Sequence, residues 1–596
     1  MLYTRSGLTA LSAGFLPAWL SIPALANVTP LNPHGLLVQS LPMKDKYAPR
    51  QWQPHERPTM PGSPSTPLHP THKRWAYALV GVIVALTGGL GNALVVANLP
   101  YLQGALGATS QDIAWLPAAY IMTNVSMNLL LVKFRQQYGL RAFTELFLVL
   151  YALVTLAHLF VNDIDSAIAV RAAHGMVGAA LSTLGLYYMI QAFPQKWRLK
   201  ALVLGLGTAQ LATPMARLIS EDLLQIAEWR GLYLFELGMA MLSLGCVLML
   251  KLPPGDRFKA FEKLDFLTFG LLASGVALLC AVLSLGRIEW WLEAPWIGLA
   301  SAASIALICA GLAIEHNRRN PLLITRWLGS GAILRLGLAV VLFRVVLSEQ
   351  SVGAVGFFQT LNLGSEQLHG LYLVMLAGSI AGLAVSALTI NPAHLVKPLL
   401  ISLAMMAVGA WMDSGSTYQT RPENMYLSQF LLAFGGTFFL GPTLVMGISG
   451  VLANPRNMVS FSVLFGITQN LGGLIGSAAL GTFQVVREKF HSSQLVEHLT
   501  LFDPLVQSRL QGSAASYAGV IADPAARSAQ AIRALSSTAT REANVLAYND
   551  VFMLIALIAV LTMLWITVRV LWLKMTTRPV APLSAAPVPS SSAQTS

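Results

Sequence analysis

Long apolar stretches separated by short polar turns recur along this chain from about residue 75 to residue 573. A helix needs roughly 20 mostly apolar residues to cross the hydrocarbon core, because only a backbone with internally closed hydrogen bonds is stable in lipid. Fourteen stretches meet this requirement, so the pattern predicts an all-α polytopic membrane protein. The predicted transmembrane helices lie at about residues 75–98, 112–132, 142–161, 166–192, 199–221, 231–251, 265–285, 295–314, 330–360, 367–390, 396–412, 425–453, 458–485 and 547–573.

The spacing of these stretches predicts two six-helix bundles with two further helices inserted between them. The chain then divides into four parts: an N-terminal tail (1–72), an N-terminal six-helix bundle (73–252), two inserted transmembrane helices (253–328) and a C-terminal six-helix bundle (329–596). The last part contains a long polar segment, residues 486–546, and we expect its end, residues 575–596, to be a disordered cytoplasmic tail.

Lysine and arginine residues concentrate in alternate loops. Cytoplasmic loops retain positive charge, so this bias indicates the orientation in the membrane. One set of loops and ends holds nineteen such residues: Lys73, Arg74, Lys133, Arg135, Arg141, Lys196, Arg198, Lys200, Lys251, Arg257, Lys259, Lys263, Arg318, Arg319, Arg326, Lys397, Arg456, Lys574 and Arg578. The opposite set holds nine, of which six lie within residues 486–546. We therefore expect a bacterial inner-membrane protein with both termini in the cytoplasm.

The first residues of the tail resemble a secretory signal peptide, since Arg5 precedes an apolar run and the triplet Ala24-Leu25-Ala26. A cleaved signal would invert the orientation that the charged loops indicate. We therefore expect translation to start at Met43 or Met60, and we expect residues 44–72 to be disordered.

Composition supports a membrane protein and excludes several other classes. The chain is 55% hydrophobic and 11% charged, with a mean hydropathy of +0.61, which leaves too little polar surface for a soluble globule. Its net charge of +12 does not indicate nucleic-acid binding, because the basic residues lie between apolar runs and form no polar domain. The three cysteines and eleven histidines have no metal-ligand spacing, and no nucleotide-binding motif is present. The sequence predicts neither an enzyme nor a cofactor.

The polar segment 486–546 mixes helix-like patches with a stretch rich in Ser, Ala and Thr. We expect it to stand outside the membrane. It is either an irregular loop or a folded extension that contacts a periplasmic partner.

Several motifs are specific enough to indicate a family. The first predicted helix ends in Ala97-Asn98-Leu99-Pro100, and the second carries Trp115 and Tyr120. The fourth contains an arginine and glycine motif, residues 171–180, and two further motifs lie at residues 487–491 and 546–552. This set resembles the fourteen-helix EmrB/QacA-type branch of the major facilitator superfamily. The resemblance implies proton-coupled export of drugs or small organic compounds by alternating access, without a cofactor. It also implies docking of a periplasmic membrane-fusion adaptor and an outer-membrane channel.

Arg171 is the first candidate for the proton or substrate pathway. An arginine within a membrane segment costs at least about 2.5 kcal/mol unless it faces water or a partner. The resemblance implies a role for Arg171 in proton transfer or binding, whereas the alternative is an arginine that ends its helix near the outer interface. Gly175 and Gly178 belong to the same motif B, and small residues there favour close helix packing.

Other motifs of the branch are altered in this chain. Gly91 stands where the branch has an aspartate in its first helix, and the loop after the second helix has Gln136 in place of an acid. The rest of that motif A-like loop consists of Lys133, Arg135, Gly139 and Arg141. The antiporter motif C is reduced to Gly205, Gly207 and Pro214, with Gln210 between them. These departures weaken the implied gating salt bridge and the implied antiport.

The remaining ionisable residues at membrane depth are few. Arg217 and Glu221 lie four residues apart, so they share a helix face and could pair. Glu236 lies on the next helix, and Arg344 and Glu349 lie on the ninth. Such residues mark substrate or proton paths, or they form ion pairs that settle helix packing.

Three functions remain open from the sequence. The first is the proton-coupled exporter that the resemblance implies. The second is an organic-anion permease, specific for example for aromatic acids, in which Arg171, Arg217 and Arg344 form a cationic cavity. Lipophilic cations would instead require a buried acid such as Glu349. The third is a degenerate transporter that serves as a membrane sensor or scaffold.

Overall fold

The computed structural model describes residues 52–53, 56–58, 62–452 and 457–576, and the structural statements below concern these residues. Thirteen helices in this part are long and apolar enough to cross a membrane. One of them, Gln195–Met249, has 55 residues and leaves the helical conformation at Ala227 and Glu228, so it contains two spans. With that helix counted as two, the fold agrees with the predicted all-α architecture.

We number the spans in chain order. They are α1 (Thr71–Ala97), α2 (Ser110–Tyr138), α3 (Leu140–Phe160), α4 (Ile164–Ala192), α5 (195–226), α6 (229–249), α7 (Lys263–Leu285), α8 (Pro295–His316), α9 (Gly331–Thr360), α10 (His369–Thr389), α11 (Val396–Asp413), α12 (Pro422–Val451), α13 (Asn457–Glu497) and α14 (Pro524–Thr576). Short helices at Leu99–Ala105, Thr325–Leu328 and Pro504–Ser516 lie between the spans.

The helices pack as two groups of six. In the first group α1 and α2 both pack on α4, and α1 also packs on the α5–α6 helix. In the second group α12 packs on α10 and α11, while α14 packs on α11 and α13. The groups meet where α2 contacts α13 and where α5 contacts α10 and α12.

The inserted helices α7 and α8 pack on each other and attach to both groups. Leu272 of α7 lies in an apolar cluster with Leu129 of α2 and Val463 of α13. Asp265, at the start of α7, accepts two hydrogen bonds of 2.8 Å from Nζ of Lys133 at the end of α2. Apolar contact and a buried ion pair therefore hold the inserted pair against the first bundle.

The motif A-like residues, predicted as a loop, form the last turns of α2 up to Tyr138 and the turn at Gly139, because the helix extends beyond its apolar stretch. They are bound to the linker that precedes α7. The side-chain oxygen of Gln137 accepts hydrogen bonds from the backbone N–H groups of Ala260 and Phe261. Gly139 has φ of 88°, and a Cβ atom there would collide with the guanidinium of Arg257. The linker therefore requires glycine at this turn.

The expectation of disorder is wrong for residues 62–70 of the N-terminal tail. The carbonyl of Ser65 accepts a hydrogen bond from the side chain of Gln191, and the N–H of Ser65 donates to the carbonyl of Pro254. Arg198 donates to the hydroxyl of Thr66. These bonds fix this part of the tail against α4, α5 and the linker that precedes α7. The signal-like run, both proposed start sites and residues 577–596 lie outside the described residues.

Segment 486–546 is helical over most of its length, so the alternative of an irregular loop is wrong. At 1.5 Å per residue, the 41 residues of α13 span roughly 60 Å, about twice the hydrocarbon thickness. Arg487 of α13 pairs with Asp550 of α14 at 2.6 Å, and His491 contacts the same carboxylate. We call the helical projection formed by residues 486–546 the hairpin.

Candidate transport site

A cavity of about 370 Å³ lies where the two bundles meet, with walls from α1, α2, α4, α5, α9, α12 and α13. This volume falls in the range of small-molecule binding sites. The polar residues of its wall are mostly neutral. They are Asn92, Tyr120, Asn124, Asn128, Ser182, Thr183, Tyr187, Gln210, Ser462, Gln469 and Asn470, together with the cations Arg135 and Arg344.

The motif C-like residues shape the α5 wall of this cavity. Pro214 has no N–H, so the carbonyl of Gln210 lacks its usual helical partner four residues later. The helix tightens to a 3₁₀ turn over Thr208–Leu211, and Gln210 lines the cavity at this turn. A Cβ atom on Gly205 would touch Leu186 of α4, and one on Gly207 would collide with Leu383 of α10. These glycines thus allow α5 to pack closely within its own bundle and across the bundle interface.

Arg171 is fully buried on α4, so protein encloses its guanidinium on all sides. Its Nη1 donates to the carbonyl of Gly91 at 2.8 Å, and its Nη2 donates to Oδ1 of Asn92 at 2.8 Å. The guanidinium also lies 4.6 Å from the ring centroid of Tyr120. Asn92 and Tyr120 both line the cavity, so Arg171 contacts its wall from behind.

A histidine and a carboxylate complete this buried cluster. Nη1 of Arg171 lies 3.2 Å from Nδ1 of His174, one turn further along α4. Because arginine can only donate, Nδ1 accepts and the proton of a neutral ring is on Nε2. Nε2 lies 2.9 Å from Oε1 of Glu236 on α6, and the Tyr151 hydroxyl donates to the same oxygen at 2.7 Å. We call Arg171, His174, Glu236 and Tyr151 the α4–α6 cluster.

The absence of a side chain at Gly91 makes room for this cluster. A Cβ atom there would lie 2.7 Å from Oε1 of Glu236 and would also meet the Tyr151 hydroxyl. The carboxylate from α6 therefore occupies the space beside α1 that a side chain at position 91 would fill. In motif B, Gly175 and Gly178 pack against Tyr120, where a Cβ atom would collide with α2. Their predicted packing role fits this geometry.

A second buried polar cluster lies in the C-terminal bundle. Glu349 lies in a π-helical turn of α9, Glu349–Ala354, which interrupts the regular helix. Nε2 of Gln429 on α12 donates to Oε1 of Glu349 and to Oδ2 of Asp413, in both cases at 3.0 Å. The three side chains are at most 3% exposed. Two carboxylates from α9 and α11 thus share one amide donor.

The two ion pairs considered from the sequence do not form among the described residues. Arg217 lies 5.5 Å from the ring centroid of Tyr372 and has no ion-pair contact with Glu221. Glu349 bonds Gln429, as described above, while Arg344 contacts Gln210 at 3.3 Å. Of the three arginines proposed for a cationic cavity, Arg344 lines the wall, Arg171 lies behind it and Arg217 lies apart from it.

Sequence reasoning did not include His174, Tyr151, Asp413 or Gln429 among the candidates. The spacing of three residues from Arg171 to His174 was a usable signal, since such neighbours share a helix face. Tyr151, Asp413 and Gln429 come from other helices, and only the packing of those helices brings them to their clusters.

Comparison with known proteins agrees with this architecture. The family model of the Major Facilitator Superfamily matches residues 81–477, about two thirds of the chain. A solved structure, the proton:xylose symporter XylE bound to 6-bromo-6-deoxy-D-glucose, superposes with a TM-score of 0.50 at 13% identity. That match covers 84% of this chain and 96% of the symporter, and it concerns the fold alone.

Two similar proteins have names that refer to resistance or efflux. The "Probable multidrug resistance protein EmrY" of Escherichia coli (strain K12) is 21% identical over 454 residues, covering 73% of this chain and 85% of the relative. "Efflux pump mlcE" of Penicillium citrinum is 23% identical over 461 residues, covering 73% and 82%. These low identities agree with a divergent member of the EmrB/QacA-type branch. The chain is a multi-pass membrane transporter, not an enzyme, and it belongs to the major facilitator superfamily.

Proposed function

We propose that this protein is a proton-coupled secondary transporter that exports small organic compounds from the bacterial cytoplasm by alternating access. It would lie in the inner membrane with both termini in the cytoplasm, as the distribution of Lys and Arg among its loops favours. The names of its relatives, which include a multidrug resistance protein and an efflux pump, support the direction of transport.

One observation carries the proposal: Arg171 connects a buried carboxylate–histidine pair to the cavity wall. On one side it contacts His174, which contacts Glu236, and on the other side it donates to Asn92. Glu236 is the carboxylate of the α4–α6 cluster, and its negative charge offsets the guanidinium. A change in the protonation of Glu236 therefore alters the contacts of Arg171, and through them Asn92, which faces the cavity.

Proton binding would loosen this connection. A proton on Glu236 removes the negative charge that offsets Arg171. A proton on Nδ1 of His174 turns that atom into a donor, so it can no longer accept from Arg171. In either case the guanidinium depends more strongly on Gly91, Asn92 and any anion in the cavity. Protonation and substrate therefore bias the same side chain, which is the differential interaction that coupling requires.

The C-terminal cluster extends the proposed proton pathway to the other bundle. Glu349, Gln429 and Asp413 come from three helices of that bundle, so a shift of these helices against one another would alter the spacing of the two carboxylates. We place Glu236 and Glu349 on the proton pathway, and Gln210 and Arg344 at the substrate. Arg217 and Glu221 lie outside both groups, and we assign them no part in transport.

Flux into proteoliposomes under an imposed pH gradient tests the proposed function. The purified protein should accumulate a fluorescent drug-like substrate when the receiving side is acidic, and accumulation should stop when a protonophore collapses the gradient. Flux that ignores the gradient would contradict proton coupling. Absence of any flux would favour the sensor or scaffold alternative.

We further propose that the hairpin, residues 486–546, docks a periplasmic membrane-fusion adaptor that leads to an outer-membrane channel. Its tip exposes large apolar side chains, with Phe502 93%, Val520 87% and Leu505 78% exposed. Its base is fixed by the pair formed between Arg487 and Asp550. A rigid base and an apolar tip suit a protein contact in the aqueous compartment.

Removing the tip of the hairpin should leave transport across the inner membrane intact and impair efflux from whole cells. Replacing residues 499–523 by a short Gly/Ser linker leaves the Arg487–Asp550 pair intact. We expect unchanged flux in proteoliposomes and a severalfold loss of efflux from whole cells that contain an outer membrane. A substitution of Phe502 by Ser, with the helices retained, serves as the milder companion. Equal whole-cell efflux in all three proteins would contradict docking at the tip.

A further inference from the structure

The charged residues that line the cavity are all of one sign. Arg135 and Arg344 face it, and no Asp or Glu belongs to the wall within the described part of the chain. Charge at membrane depth is costly unless a partner or water compensates it. The cavity is thus an electropositive site that lacks a fixed counterion.

Among the described residues, the guanidinium of Arg344 forms one hydrogen bond to the protein, and that bond is a long one. Its Nη1 donates to Gln210 over a long distance of 3.3 Å, and its buried Nε has no hydrogen-bond partner. A guanidinium carries five N–H donors in a planar fork. Gly472 and Gly473 of α13 lie against its side chain, where a Cβ atom would touch it. The surrounding chain leaves room for Arg344 and leaves most of its donors unused.

The Nε of Arg135 is likewise buried without a hydrogen-bond partner, but aromatic rings compensate the charge of this arginine. Its guanidinium lies 4.9 Å from the ring centroid of Tyr187 and 5.9 Å from that of Phe143. Aromatic faces attract a cation and partly satisfy its charge. Arg344 has no such aromatic partner in the described residues. Arg344 is therefore the better anchor for a ligand.

We infer that the transported compound is an organic anion with an apolar or aromatic body, and that Arg344 binds its carboxylate. The inference rests on the proposed function and names its substrate class. A carboxylate matches the guanidinium fork through two parallel hydrogen bonds. Leu440, Leu444, Phe461 and Phe465 provide an apolar wall for the body, and the neutral amides add hydrogen bonds without adding charge.

The same geometry disfavours a lipophilic cation. Such a ligand requires a carboxylate in the wall, and the acid considered for that purpose, Glu349, bonds Gln429 in the C-terminal cluster and does not line the cavity. Export of an anion removes negative charge from the cytoplasm, and the proton taken up in exchange brings positive charge in. Both movements therefore make the cytoplasm more positive. An inside-negative membrane potential should then accelerate export.

Binding to the purified transporter tests this inference with three probes: 1-naphthoate, its neutral analogue 1-naphthamide, and the lipophilic cation tetraphenylphosphonium. Hydrogen bonds between two charged groups are stronger than those to a neutral amide, so we expect the wild type to bind naphthoate about tenfold or more tightly than naphthamide. The Arg344→Gln variant should bind the two equally. Arg344→Lys, which keeps the charge and loses the fork, should fall between them.

The control is Arg335→Gln, since Arg335 lies on the same helix, is exposed and does not line the cavity. It should preserve the preference for naphthoate. The inference is overturned if the wild type fails to bind naphthoate, or prefers tetraphenylphosphonium, or if Arg344→Gln retains the preference. The binding measurement needs no proton gradient. It can therefore support the anion site even if transport is not coupled to protons, and it can contradict the anion site even if transport is coupled.

Discussion

Replacing Glu236 by Gln is expected to abolish uphill transport while leaving downhill exchange in place. A difference of one pH unit stores about 1.4 kcal/mol per proton, which supports roughly a tenfold concentration ratio of substrate. In the variant this ratio should fall to about one, because an amide cannot bind the proton at this position. The measurement is accumulation in proteoliposomes under the gradient, compared with counterflow of labelled substrate without it.

The physical reason lies in the neighbours of Glu236. The amide that replaces the carboxylate would still offer an oxygen to the Tyr151 hydroxyl, which donates at 2.7 Å in the wild type. What is lost is the charge that offsets Arg171 through His174. Arg171 is then held permanently as it would be in the protonated wild type, so the pathway can exchange substrate but cannot use the gradient.

Glu221→Gln is the matched control. Glu221 lies on the neighbouring span α5, is only partly buried and forms no ion pair among the described residues. Its variant should accumulate substrate as the wild type does. Comparable thermal unfolding of both variants would exclude a folding defect. Full accumulation by Glu236→Gln would show that Glu236 is not the coupling acid, and the proton site would have to be sought at Glu349 and Asp413.

The fold could be predicted well from the sequence, because lipid imposes a strict requirement on each span. Apolar stretches such as those of α7 and α8 have few alternatives to crossing the membrane. The hairpin was harder to predict. Its helices extend α13 and α14 with polar residues, and polar helices give no hydropathy signal.

The site could be predicted only in part. Arg171 and Glu236 stand out as charged residues within apolar segments, and the structure brings both into one cluster. Pairing by sequence spacing failed for Arg217 and Glu221, because an aromatic ring on α10 contacts that arginine. Spacing along one helix describes neighbours on that helix, whereas partners at membrane depth come from other helices.

Asp413 illustrates the same limit. It lies at the last residue of α11, where the sequence suggests an ordinary polar helix end. Packing places it 3% exposed, with Gln429 between its carboxylate and that of Glu349. Burial of a terminal residue depends on what covers it, and here the cover comes from other helices, α12 and α9.

Replacing Asp265 by Asn is expected to cause the largest loss of stability among single substitutions at the inserted helices. Asp265 is fully buried, and its carboxylate forms ion pairs with Lys133 at 2.8 Å and with Arg318 at 2.7 Å. Removing one partner of a buried ion pair leaves an uncompensated charge and typically costs about 3–5 kcal/mol. The amide oxygen of the substituted side chain can still accept the hydrogen bond from the N–H of Glu262 that begins α7, so the helix start should survive.

Arg318 limits how the protein can respond to this change. Burial lowers the pKa of Arg318, but its bonds to Glu262, Glu315 and Asp265 outweigh that effect and leave the pKa raised. Arg318 therefore stays charged and keeps two carboxylate partners after the substitution. Lys133 is the residue left without a carboxylate, since its other contact is the carbonyl of Asn320. The loss of stability should accordingly arise mainly from the buried, unpaired charge of Lys133.

The double variant Lys133→Met with Asp265→Asn tests this argument, because it removes both charges together. We expect it to recover most of the stability that Asp265→Asn loses, as measured by thermal unfolding in detergent. Lys263→Met, an exposed substitution at the start of the same helix, should have little effect. If the two single changes were additive in the double variant, the ion pair would not couple α2 to α7. Apolar contacts such as that of Leu129 with Leu272 would then be what holds the inserted pair.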